Sequence, residues 1–196
     1  LIFSLLLLLA VTISCSLPDG IDQDTSFLSS AASGNVSKIF DISTDNSGIV
    51  KITPTGEGAT SFTVNYGHGT GAAASAVVAA GGSTSHIYPE GSYTVTIISS
   101  DIAGQKTSAT YPLVVTYVAP TNLIVNAAVN VYTVKVSATA TNAKSFLVYF
   151  GDVANEVGTP LAIGATTPAH TYAVGGSYNV KVVALSGGAA KTETIT

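Results

Sequence analysis

Arginine, tryptophan and methionine are absent from this chain, cysteine occurs once, and charged residues make up only 9% of it. Each shortage excludes something. Seven lysines are the whole basic complement and the net charge is −4, so there is no basic patch for nucleic acid. A lone cysteine forms no internal disulfide. Only eleven acids are available for a pair of glycosidase carboxylates, and Asp19, Asp22 and Asp24 are grouped near the N-terminus. The nucleophile-elbow pattern G-x-S-x-G does not occur. The chain is expected not to be an enzyme and to need no cofactor and no metal.

What is present begins with an almost unbroken apolar run, Leu1 to Ile13. It is shorter than the roughly 20 residues of a membrane span and has the size of a signal-peptide core. Residues 1–14 are therefore expected to be a signal peptide, and one that starts before Leu1, since no Met or basic segment precedes it. The run Thr12-Ile13-Ser14-Cys15 resembles a bacterial lipobox, which implies a lipid on Cys15 and attachment to a membrane through it. Residues 15–36 are rich in Ser, Asp, Gly and Ala without sustained periodicity, the composition of a flexible tether. Acidic residues soon after the lipidated cysteine resemble the surface-export signal of Bacteroidota lipoproteins, which implies an outer-membrane, surface-exposed location.

The remainder is written twice. Ser61-Phe62-Thr63-Val64-Asn65-Tyr66-Gly67 returns as Ser145-Phe146-Leu147-Val148-Tyr149-Phe150-Gly151, and His86-Ile87-Tyr88 returns at the same offset of 84 as His170-Thr171-Tyr172. After one insertion, Gly91-Ser92-Tyr93-Thr94-Val95 is mirrored by Gly176-Ser177-Tyr178-Asn179-Val180. A shared offset argues for a duplicated module, with boundaries expected at 37–118 and 119–196. Alternating apolar residues predict strands at 49–53, 62–66, 93–97 and 113–118, and again at 132–136, 146–150 and 178–182. Short strands punctuated by Gly, Ser, Asn and Pro, with no amphipathic helix, predict an all-β fold of two tandem immunoglobulin-like sandwiches. Phe62, Val64 and Tyr66, like Phe146, Val148 and Phe150, should face the core.

These phrases resemble the PKD domain. That family carries an F-G-D-G turn, then H-x-Y, then G-x-Y-x-V. Here the turn reads Tyr66-Gly67-His68-Gly69 in the first copy and Phe150-Gly151-Asp152-Val153 in the second, and Val64 and Val148 stand where the family has Trp. The partner of Leu113 to Tyr117 would begin near residue 198, so the second copy is expected to lack its last strand and the chain to belong to a longer protein.

His86 and His170 sit at equivalent repeat positions, so together with Tyr88, Tyr93, Tyr172 and Tyr178 they are expected to pin structure. Asp41, Asp45 and Asn46 have the spacing of oxygen ligands, but turn chemistry explains them equally and the second copy has Val125, Val129 and Asn130 there. One difference between copies suggests a surface: Thr63 and Asn65 become Leu147 and Tyr149. With Asn179 or Lys181 beside it, Tyr149 can stack on a sugar; alternatively the face packs on a following domain. The resemblance implies a non-catalytic cell-surface spacer or binding module in polysaccharide capture, with polysaccharide or a downstream domain as partner. An accessory region of a glycoside hydrolase or peptidase, or an adhesion protein, are the other expectations.

Overall fold

The computed structural model describes residues 32–196. The expected signal peptide, Cys15 and all but the last residues of the expected tether lie outside the described residues. The described part of the chain is all-β. The strands are β1 (Gly34–Ile42), β2 (Ile49–Glu57), β3 (Ser61–Asn65), β4 (Ser75–Ala79), β5 (Thr84–Ile87), β6 (Gly91–Ser100) and β7 (Lys106–Val115), with a short 3-10 turn at Gly71–Ala74. They continue as β8 (Thr121–Asn130), β9 (Thr133–Thr141), β10 (Ser145–Tyr149), β11 (Thr159–Ala162), β12 (His170–Thr171), β13 (Lys181–Leu185) and β14 (Lys191–Ile195).

All pairings are antiparallel and form four sheets. In the first half, β1-β2-β5 faces β4-β3-β6-β7, and in the second β8-β9-β12 faces β11-β10-β13-β14. Alternation builds each core. In β2, Val50 and Ile52 point inward while Ile49 and Lys51 point out, and β3 contributes Phe62 and Val64. β9 and β10 repeat this with Val134, Val136, Phe146 and Val148. Burying each such side chain contributes roughly 1.5–3 kcal/mol, and each half closes on its own apolar cluster.

Three expectations about boundaries are corrected. Gly34, Asn35 and Val36 belong to β1 rather than to a tether: the Val36 carbonyl accepts the Tyr111 hydroxyl, and buried Ser33 bonds Ser99 at 2.5 Å. The segment Tyr178–Val180, expected as strand, lies outside β13, whereas its counterpart Tyr93–Val95 lies within β6. The reason is pairing. Tyr93 lies opposite Leu113 of β7, but the ladder of β13 and β14 runs from Leu185↔Lys191 to Lys181↔Ile195, with one further bonded pair, Val180 and Thr196, beyond it. Third, the last position in the second half holds a strand after all, because β14 lies beside β13 as β7 lies beside β6, over a shorter length.

Candidate functional site

Each half carries the same aromatic knot where the H-x-Y phrase meets the glycine turn. In the first, the imidazole of His86 stacks on Tyr66 with centroids 4.2 Å apart, and Tyr88 meets its edge at 4.7 Å. In the second, His170 stacks on Phe150 at 4.1 Å and Tyr172 meets its edge at 4.8 Å. The tyrosine hydroxyls then tie down the backbone: Tyr88 donates to the Tyr66 carbonyl at 2.9 Å and Tyr172 to the Phe150 carbonyl at 3.0 Å. Tyr93 and Tyr178 close the following turns by donating to Pro89 and Val174. Gly67 and Gly151 have positive φ, and a Cβ at either would collide with the backbone of Thr94 or Asn179. Only glycine lets that turn lie so close to the neighbouring backbone.

The two knots differ in the partner of the histidine. His86 Nε2 lies 3.0 Å from His68 Nδ1, whereas His170 Nε2 lies 2.9 Å from Asp152 Oδ2. Burial, and then the neighbouring His68, push the His86 pKa below its ordinary value. Burial raises Tyr88 and Tyr172, with Asp152 adding to the effect on Tyr172. Opposite the second knot, Glu156 clamps the turn by accepting the N–H of Phe150 at 2.6 Å and of Gly151 at 2.9 Å. This is the chemistry of held turns: the rings are packed on one another and the hydroxyls are committed to carbonyls. Among the described residues no group of three or more His, Cys, Asp or Glu is placed to hold a metal.

The surface singled out by Leu147 and Tyr149 is engaged within its own half. Tyr149 lies opposite Lys181 across the ladder, and the Lys181 ammonium sits 4.4 Å from its ring centroid. Gly158 packs so closely that a Cβ there would lie 2.8 Å from Tyr149 Cζ and 3.0 Å from Leu147 Cβ. Both side chains are half-buried, and Asn179 is exposed. The structure thus brings Tyr149 and Lys181 together as a mutual contact.

The most committed polar groups lie elsewhere, at the junction of the halves. Asn46, 2% exposed, spends its whole amide there. Its Nδ2 donates to the carbonyls of Val118 at 2.9 Å and Asn142 at 2.7 Å, and its Oδ1 accepts the Val118 N–H at 2.9 Å. From the first half also, the Glu90 carboxylate accepts the N–H of Tyr117 at 3.1 Å and of Ala189 at 2.6 Å. Those two bonds, Ala189 first, hold its pKa below the usual carboxylate range. Tyr117 donates to the Tyr88 carbonyl, and Thr192 to that of Pro120. A Cβ at Gly188 would lie 2.1 Å from Glu90 Oε2, so the loop carrying Ala189 fits against the carboxylate only without one.

Asn46 and Glu90 were not legible as joint residues. Asn46 reads locally as a turn residue, and its neighbour Asp45 indeed accepts the Ser47 N–H within the turn. A signal for Glu90 did exist, since the repeat puts Val174 at the same position and a charge found in one copy only points to a duty that copy alone performs. No protein-family model matches the chain and no curated protein does, so a functional reading rests on this joint and on the two knots.

Proposed function

We propose that the chain is a non-catalytic spacer and binding module of the bacterial cell surface, held at the outer membrane through a lipid on Cys15 and serving polysaccharide capture. The joint carries this reading. Domains in one chain move relative to each other unless their interface prevents it, and a spacer sets a distance only when its joints are stiff. Here Asn46 and Glu90 grip the connection at Val118 and Tyr117 and bond Asn142 and Ala189 of the second half directly, while Thr192 of that half bonds the connection at Pro120. The resemblance of both copies to PKD domains supports the same role, as does a lone cysteine placed at the end of the apolar leader.

Residual dipolar couplings measured separately on the two halves test the spacer. One common alignment is the expected outcome, and two independent alignments would overturn it. Retention on insoluble polysaccharides tests capture: a chain retained on none of them keeps only the spacer role.

A further inference from the structure

The first knot brings two imidazoles together where the second pairs an imidazole with a carboxylate. His68 and His86 meet nitrogen to nitrogen, Nδ1 to Nε2, at 3.0 Å, whereas Asp152 faces His170. Both imidazoles of the first pair are half-buried, so solvent reaches them. A shallow hollow of about 500 Å³, lined by Ile49, Ser85, His86 and Ile87, opens beside them.

Three tyrosines hold the two rings in place. His86 is stacked on Tyr66 and met at its edge by Tyr88. His68 lies edge-on to Tyr93, with centroids 5.4 Å apart, and tilted against Tyr88 at 5.7 Å. The hydroxyls of these tyrosines are already committed: Tyr66 bonds Thr84, Tyr88 the Tyr66 carbonyl and Tyr93 the Pro89 carbonyl. Packing therefore positions the two ring nitrogens before any ligand arrives, which lowers the ordering cost of a chelate.

We infer that His68 Nδ1 and His86 Nε2 form a two-point chelate for a divalent transition-metal ion, with Cu(II) the preferred ion and water in its remaining positions. Spacing is the first argument. Imidazole nitrogens bind such an ion at about 2.0 Å, so two of them stand about 2.8 Å apart at right angles in a tetragonal site and about 3.3 Å apart in a tetrahedral one. The 3.0 Å separation lies between, nearer the right-angle value. Among the described residues no third His, Cys, Asp or Glu joins the pair, so the closed tetrahedral set of structural zinc is not offered. For a site of two imidazoles the order of affinities favours copper. Ring centroids 5.2 Å apart set the imidazoles nearly end to end, the arrangement of two rings sharing one proton in an N–H···N bond. On metal binding that proton moves to the outer nitrogen of its own ring, and the rings tilt so that both lone pairs meet the ion. The second half offers one imidazole and a carboxylate, a ligand suited to harder ions.

The chain has three histidines, so the ring protons of His68, His86 and His170 can be followed in one NMR spectrum. The test adds substoichiometric Cu(II) to the 196-residue chain carrying Cys15→Ser, which removes the one thiol able to reduce the ion. The ring signals of His68 and His86 should broaden together, and those of His170 only at about tenfold more copper. His68→Asn keeps a polar side chain in the turn and should raise the copper needed to broaden His86 by about tenfold or more, since the second ligand acts through its effective concentration. His86→Phe keeps a ring against Tyr66 and should do the same to His68. Equal broadening of all three histidines would overturn the inference. So would broadening of only one member of the pair, or a His86 response unchanged by His68→Asn. The comparison among the three histidines needs no substitution in the knot and decides the matter even if a knot variant fails to fold.

Discussion

The carboxylate of Glu90 accepts the backbone N–H of Ala189 across ninety-nine residues of chain, at 2.6 Å. Its other oxygen takes the N–H of Tyr117, so one side chain couples the first half, the connection and the second half. Its counterpart in the repeat is Val174, which has no charge to offer.

This coupling predicts a pH dependence. Backbone donors hold the folded Glu90 pKa below its unfolded value, so its contribution is fully present above the unfolded value of about 4.3. It is lost as pH falls through the depressed folded value, where protonation removes the charge the donors favour. The protection factor of the Ala189 amide, its exchange rate relative to that of an unstructured amide at the same pH, should therefore hold down to about pH 5 and fall in stronger acid. Glu90→Gln should lower that protection factor already at neutral pH, since an amide places a donor against one of the two N–H groups.

Asn46 predicts a larger and pH-independent effect. Asn46→Ala strands the Val118 N–H and the carbonyls of Val118 and Asn142 at a buried site, and leaving such groups unsatisfied costs about 1–3 kcal/mol. Asn46→Asp should be no milder, because a carboxylate faces two carbonyl oxygens in place of a donor. Asn46 also holds φ at 59°, a region asparagine tolerates better than alanine. Asn46→Gly separates the two effects, since it keeps the backbone and loses only the amide. Urea titrations of the three variants should all show lower midpoints, with glycine the least affected.

How much of the fold and of the joint was readable beforehand depends on the range of the forces. Alternation is local, and it placed Phe62, Val64 and Tyr66, and likewise Phe146, Val148 and Phe150, on the core side where they are buried. The repeat made His86 and His170 equivalent, and they do stack on equivalent rings, Tyr66 and Phe150. Tyr178 and Asn179 have as good a strand pattern as Tyr93 and Thr94, but a strand exists only with a partner, and the partner is a tertiary fact. For the same reason nothing near Asn46 announces that its amide will meet Val118 and Asn142. Leu147 and Tyr149 were visible as an anomaly between copies, while the covering groups, Gly158 and Lys181, depended on how β11 and β13 lie.

The knots predict that the two histidine pairs can be interconverted. His86 has a folded pKa below its unfolded one, so the unfolded chain takes up the proton first. Stability present above the ordinary histidine value of about 6.5 is thus lost as pH falls through the folded value. His68→Asp would copy the Asp152–His170 pair and place a negative charge against His86. The His86 midpoint, followed by NMR of its ring protons, should move upward. Stability of the first half should then be retained in mild acid where the parent loses it.

Val131 predicts a gain of stability from a single exposed change. It opens the turn between β8 and β9 at φ 52°, where a β-branched side chain is strained and the left-handed conformation costs roughly 1–2 kcal/mol. Being 82% exposed, it has little burial to lose. Val131→Asn should therefore stabilise by about 1 kcal/mol and raise the melting temperature by a few degrees. Val131→Gly should gain less, because glycine relieves the same strain while adding freedom to the unfolded chain. Val131→Thr keeps the branch and should gain nothing. If threonine matches asparagine in thermal melts, removal of an exposed apolar group explains the gain and the strained turn does not.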